Sequence, residues 1–153
     1  MNAAEIHLMV NHIPVLGTIV VVGLLAYALA RDEDPVMRAA LWLLVAVAFL
    51  GVVAFLTGEP AQEVVEGAVG VPESIVEAHE EFAVWGLVAN AVAGLTALAG
   101  LWIHRARAVG RGFAWLVLLL TLGTFATLSY TAYLGGRINH PEIRSGEPSL
   151  SSS

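Results

Sequence analysis

Four long apolar runs constrain this chain more than any other feature of it. They are Leu8 to Ala30, interrupted by Asn11, His12 and Pro14; Ala39 to Thr57; Phe82 to Ile103, broken by Asn90 and Thr96; and Phe113 to Leu134. Each approaches or exceeds the ~20 residues that carry a helix across ~30 Å of hydrocarbon. No Asp, Glu, Lys or Arg interrupts any of them. The chain is 58% hydrophobic and 13% charged, against about 25% charged residues in ordinary soluble domains. A soluble core made from 153 residues cannot hide that much apolar surface, whereas a bilayer can. The expected architecture is therefore all-α, an integral membrane antiparallel four-helix bundle with spans at about 8–30, 39–57, 82–103 and 113–134. Residues 1–144 form one domain, and 145–153 read as a loose, serine-rich tail.

Arginine placement sets the expected topology. Two short connections, Arg31 to Arg38 and His104 to Gly112, hold Arg31, Arg38, Arg105, Arg107 and Arg111; only Arg137 and Arg144 lie on the other side. By the positive-inside rule the short connections face the cytoplasm. Both termini and the longer Gly58 to Glu81 loop then face outward, into the periplasm of a bacterial inner (cytoplasmic) membrane. The first run reads as a retained span rather than a cleaved signal. Ala28-Leu29-Ala30 resembles a cleavage site, but no Lys or Arg precedes the run and it exceeds a usual signal core.

Several classes of function lack their residues. There is no cysteine, which removes disulfides, thiolate metal sites, iron–sulfur clusters and c-type haem attachment. There is no lysine and no basic tail, so nucleic acid is not an expected partner. Spans without Asp, Glu, Lys or Arg weigh against ion-coupled transport. The hydrolase motifs G-x-S-x-G and H-E-x-x-H and the phosphate-binding glycine loop are missing.

Local signals refine the spans. Asn11 is placed to cap the first helix and Pro14 to sit in its first turn, where a missing N–H is tolerated. Asp32 to Pro35 forms a turn whose proline opens span two, and Gly58-Glu59-Pro60 closes that span. Pro72-Glu73 opens a helix that runs on to His104, so span three begins two to three turns before its apolar run. Met1 to Met9 and Ala61 to Val69 read as short surface helices. Gly135 and Gly136 are expected to stop span four.

The histidines carry the chemistry. His7, His12, His79 and His140 gather on the outer face beside ten of the thirteen acidic residues. Histidine is rare in membrane spans and is the commonest metal and haem ligand. His79 heads a stripe of Ala83, Gly86, Asn90, Ala93 and Ala97, whose small side chains suit close contact with a helix or a flat cofactor. Spans one and three are diagonal in a four-helix ring, so His12 and His79 are the favoured axial pair for a b-type haem, with Gly86 and Asn90 lining it. His7 and His140 form a second pair. His7 and His12 lie roughly 140° apart around a helix and cannot share one face. His7 instead aligns with Asn11, Pro14 and Thr18 in a polar stripe. The competing reading makes each of these a solvated interfacial residue. The string His7-x-Met9-x-x-His12 with nearby carboxylates also suits copper or zinc. His104, beside Trp102, reads as an interfacial anchor, and the hydroxyls of span four as groups that bond back to their own helix carbonyls or across to a neighbouring helix.

Three stretches carry a family resemblance: His7-Leu8-Met9-Val10-Asn11-His12-Ile13-Pro14, Thr57-Gly58-Glu59-Pro60-Ala61 and Leu134-Gly135-Gly136-Arg137-Ile138-Asn139-His140, together with Glu77-Ala78-His79-Glu80. They resemble the small four-span bacterial membrane proteins of DUF2231 type, although the opening departs from that family's more usual His-Pro-rich start. The resemblance implies a bundle with histidines at helix ends, as in cytochromes, and hence haem.

Three functions follow as expectations. The first is a membrane b-type cytochrome-like electron carrier, passing electrons between a quinone or membrane oxidoreductase and a periplasmic acceptor. The second is a cofactor-free accessory subunit of a larger membrane complex or homo-oligomer, its small and polar stripes serving as packing faces. The third is a periplasmic-face copper or zinc binder. None is a stand-alone enzyme.

Overall fold

The structure is a computed structural model, and it describes residues 7, 9–58 and 72–139. The surface helices expected at Met1 to Met9, apart from His7 and Met9, and at Ala61 to Val69 lie outside the described residues, as do His140 and the 145–153 tail. The described residues are helical throughout their regular structure and include no strand. Four helices follow one another: α1 (His12–Arg31), α2 (Asp34–Leu56), α3 (Glu73–Ile103) and α4 (Arg111–Asn139). All four are long and apolar enough to cross a membrane.

The helices begin and end where the local chemistry asks. Pro35 occupies the first turn of α2, where its missing N–H leaves no bond unmade. The α1–α2 turn is only Asp32 and Glu33. Asp32 takes φ of 59° and directs its N–H to the Ala28 carbonyl, and aspartate is one of the few non-glycine residues that tolerate that conformation. Pro72 precedes the first residue of α3, so that helix does start well before its apolar run. Two expectations fail. Asn11 has helical backbone angles and makes no side-chain cap bond, because the chain is already helical before it: its N–H reaches the His7 carbonyl at 2.9 Å. Gly135 and Gly136 do not stop the last helix, which continues to Asn139.

Each helix packs on its neighbours in chain order and α4 closes back on α1, giving a ring. The large buried side chains are concentrated towards one end of that ring. Val21, Leu25, Ala28 and Leu29 of α1 cluster with Met37, Leu41 and Leu44 of α2, Ala93, Ala97 and Leu101 of α3, and Ala114, Val117 and Leu118 of α4. Next to that cluster Thr18, Asn90, Thr121 and Thr124 are essentially inaccessible, and beyond them Ile75 of α3 and Leu134 of α4 are buried apolar side chains. Outward-facing positions carry Leu16, Ile19, Trp42, Phe49, Leu95, Leu119 and other large apolar side chains. An apolar exterior of that extent suits lipid rather than water as its solvent.

Candidate functional site

Two half-buried histidines lie at the end of the ring away from the large aliphatic cluster. His7 lies one turn ahead of α1, and its half-buried ring leans on the end of α2. Its Nδ1 is 3.0 Å from the Ala54 carbonyl and 3.3 Å from Thr57 Oγ1. His79 lies in the second turn of α3, and its Nδ1 is 3.0 Å from the Thr131 carbonyl of α4. In both rings the nitrogen facing a carbonyl must carry the proton, since a carbonyl can only accept. The neutral imidazole then presents Nε2 as its lone-pair nitrogen. A backbone carbonyl that fixes tautomer and ring orientation in this way is the usual outer support of a metal-bound histidine. Burial pushes the His7 imidazole below its ordinary 6.5; the hydrogen bond to Ala54 works the other way, and nearby His12 adds to the depression.

The support is built from specific contacts. Thr131 donates its hydroxyl to the Phe82 and Thr127 carbonyls, both at 3.0 Å, tying α4 to α3 beside the carbonyl that holds His79. Gly135 lies against the His79 ring. A Cβ there would come within 3.1 Å of Cε1, closer than a side chain comfortably sits. That close approach gives the in-helix glycine its reason, and the sequence signal read as a helix stop belongs to ring packing. Gly58 stands in a similar relation to His7, with a would-be Cβ at 3.5 Å from the ring, an ordinary contact.

The other expected site residues fall elsewhere. His12 is exposed, on a different face from His7, as the offset between them requires. The favoured His12–His79 pairing would therefore join an exposed ring to a half-buried one, whereas His7 and His79 are both half-buried. His140 lies outside the described residues. The stripe below His79 is filled by neighbouring helices. Gly86 is buried against Leu128 of α4, and a methyl at Gly94 would overlap the Ala48 Cβ of α2. Asn90, only 1% exposed, donates Nδ2 to the Ala48 carbonyl at 3.1 Å. Its Oδ1 has no hydrogen-bond partner. Gly86 and Asn90 thus serve helix contact here and bound no slot for a flat ligand.

The opposite end is a clamp that the sequence did not announce. Asp34 and Arg38 lie one turn apart on α2 and pair at 2.7 Å. Arg38 Nη2 donates to the His104 and Arg107 carbonyls at 2.7 and 2.6 Å. Asp34 Oδ1 accepts from the Val109 N–H at 2.7 Å. Together they hold the α3–α4 connection from both ends. His104 is buried rather than an exposed anchor, with Nδ1 on the Gly100 carbonyl at 3.0 Å and its ring 5.3 Å from that of Phe113. No motif signals such a clamp, because its partners on the α3–α4 connection are main-chain atoms of His104, Arg107 and Val109.

Among the described residues no third His, Asp or Glu joins a pair to form a metal-ligating trio. Among the described residues the fold is all-helical, with four helices long and apolar enough to span a membrane, as in a multi-pass membrane protein. Comparison with family models, with curated proteins and with solved structures finds no match.

Proposed function

We propose that this protein is a b-type cytochrome-like electron carrier whose haem is held at the histidine end by His7 and His79. The carrying observation is the shared setting of the two rings. Each half-buried imidazole has Nδ1 on a main-chain carbonyl of a neighbouring helix, leaving Nε2 as the ligating nitrogen. Because helix contacts fill the stripe at Gly86, Asn90 and Gly94, the proposed group would lie at the end of the bundle, above that seam. Bound there, haem would supply one-electron redox chemistry. The residues would orient the rings, keep them neutral and limit water.

The bundle is read as antiparallel, with the arginine end in the cytoplasm and the histidine end and both termini in the periplasm, by the positive-inside rule. In this setting the redox partners would be a quinone or membrane oxidoreductase and a periplasmic acceptor. The likeness to DUF2231-type proteins is part of the same reading. A second reading has its own observation. Seams closed at Gly86, Gly94 and Gly100 by Leu128, Ala48 and Phe113 suit a cofactor-free accessory subunit. A dithionite-reduced minus oxidised visible spectrum of purified protein decides between them: sharp reduced bands of a b-type haem support the carrier, and colourless, folded protein supports the subunit.

A further inference from the structure

The seam between α1 and α4 opens at the arginine end into a groove of about 200 Å³ lined by Ala26, Leu29, Ala30, Arg111, Trp115 and Leu118. Leu29 and Leu118 are buried; Ala26, Ala30 and Trp115 are exposed beside them. On α1 the exposed lining residues are alanines, and that leaves the space; on α4 the Trp115 ring bounds it. The lining is apolar except at one place, the Arg111 guanidinium. Arg111 Nη1 donates to the Leu29 carbonyl at 3.0 Å and to Asp32 Oδ1 at 3.2 Å. These bonds set the cation over the C-terminal end of α1, where the helix dipole favours positive charge. The side chain stays 59% exposed, so two bonds from one nitrogen do not exhaust its five donors.

We propose that this groove holds an anionic phospholipid of the leaflet at the arginine end, with part of one acyl chain along the α1–α4 seam and the phosphate on Arg111. The groove is smaller than the ≈300–1,000 Å³ of ordinary small-molecule pockets and is open along its length, which suits a section of chain rather than a compact ligand. Its polar group is a single cation at one end, matching an amphiphile with an anionic head. Arginine presents a fork that pairs with phosphate oxygens. Trp115, one turn along the same face of α4, is the kind of ring that settles near headgroups. Asp32 partly offsets the charge of Arg111, and in the same turn the exposed Arg31 and Glu33 offset each other. The inference is independent of whether haem is bound.

Native mass spectrometry of the full chain, released from membranes of equal phosphatidylglycerol and phosphatidylcholine with matched chains, tests it. Wild-type protein should retain the anionic lipid over the neutral one by roughly fivefold, about what one surface arginine contributes to anionic-lipid attraction. Arg111→Gln should bring the two lipids to parity. Ala30→Phe leaves Arg111 in place but fills the groove, and should lose both lipids while its helical circular dichroism is kept. Equal retention in wild type, an unchanged preference in Arg111→Gln, or undiminished lipid on Ala30→Phe would each overturn the proposal. A lipid-free dimer of the chain would also overturn it, because the groove would then be a subunit contact.

Discussion

His7 and His12 are alike in chemistry and close in sequence, yet one ring faces the bundle and the other faces out. The helical offset made that separation legible, as it did the inward stripe of His7, Asn11, Pro14 and Thr18, all buried or half-buried. It could not tell which histidine faces inward, since that depends on how the first helix is rotated against α2. The anchors of the two rings were illegible for another reason: they are backbone carbonyls of Ala54 and Thr131, and a carbonyl leaves no mark on residue type. His7 also gives a testable pH dependence. Its folded pKa lies below the ordinary 6.5 because burial disfavours the charged ring, so between the two values the unfolded chain binds more protons. The stability it contributes is complete above about pH 6.5 and is lost as pH falls through the depressed value. Thermal unfolding in detergent should show wild type losing more stability than His7→Gln between about pH 7 and about pH 5, the range in which imidazoles titrate. Parallel curves would show that His7 is not buried as described.

At the scale of elements, composition marked the four spans well and the packing between them poorly. The small residues of α3 announced a close contact, but the partners, Leu128 for Gly86 and Ala48 for Gly94, appear only once the ring is assembled. Gly94→Ala would set two methyl groups on the same place and force α2 and α3 apart, destabilising by about 1–3 kcal/mol as core overpacking does. Gly123, with nothing near its would-be Cβ, is the control. Gly123→Ala should leave thermal stability in detergent unchanged or slightly raised, helped by the better helix propensity of alanine. The ends of α4 and of the α3–α4 connection were misread because glycine and histidine were judged locally. Gly135 makes room for the His79 ring inside a continuing helix, and His104 is drawn in beside Phe113. Arg38→Gln removes the charged donor that holds the His104 and Arg107 carbonyls, and bonds of this kind contribute about 1.5–3 kcal/mol when well protected. With Arg38 partly exposed, the lower part of that range applies. Amide hydrogen exchange should accelerate across 104–110 in that variant and stay unchanged in Arg105→Gln, whose guanidinium reaches only Trp102 on its own turn.

Across the whole molecule the two ends are built differently. The arginine end is locked by large aliphatic packing and by charged bonds to main chain. The histidine end carries two half-buried imidazoles, each fixed on a main-chain carbonyl of a neighbouring helix, with Ile75 and Leu134 buried at the same end. The cysteine-free sequence makes the orientation straightforward to test. A single cysteine at Ala106 should be reached by a membrane-impermeant maleimide only after cells are opened, while one at Glu77 should be labelled in cells whose outer membrane alone has been permeabilised. The reverse pattern would invert the bundle.

The most direct measurement is the reduced-minus-oxidised spectrum of three single variants beside wild type. His7→Ala and His79→Ala should each abolish the b-type bands, and His12→Ala, whose ring faces outward, should keep them. Bands that survive in both His7→Ala and His79→Ala, or that vanish only in His12→Ala, would contradict the assignment of the inward pair.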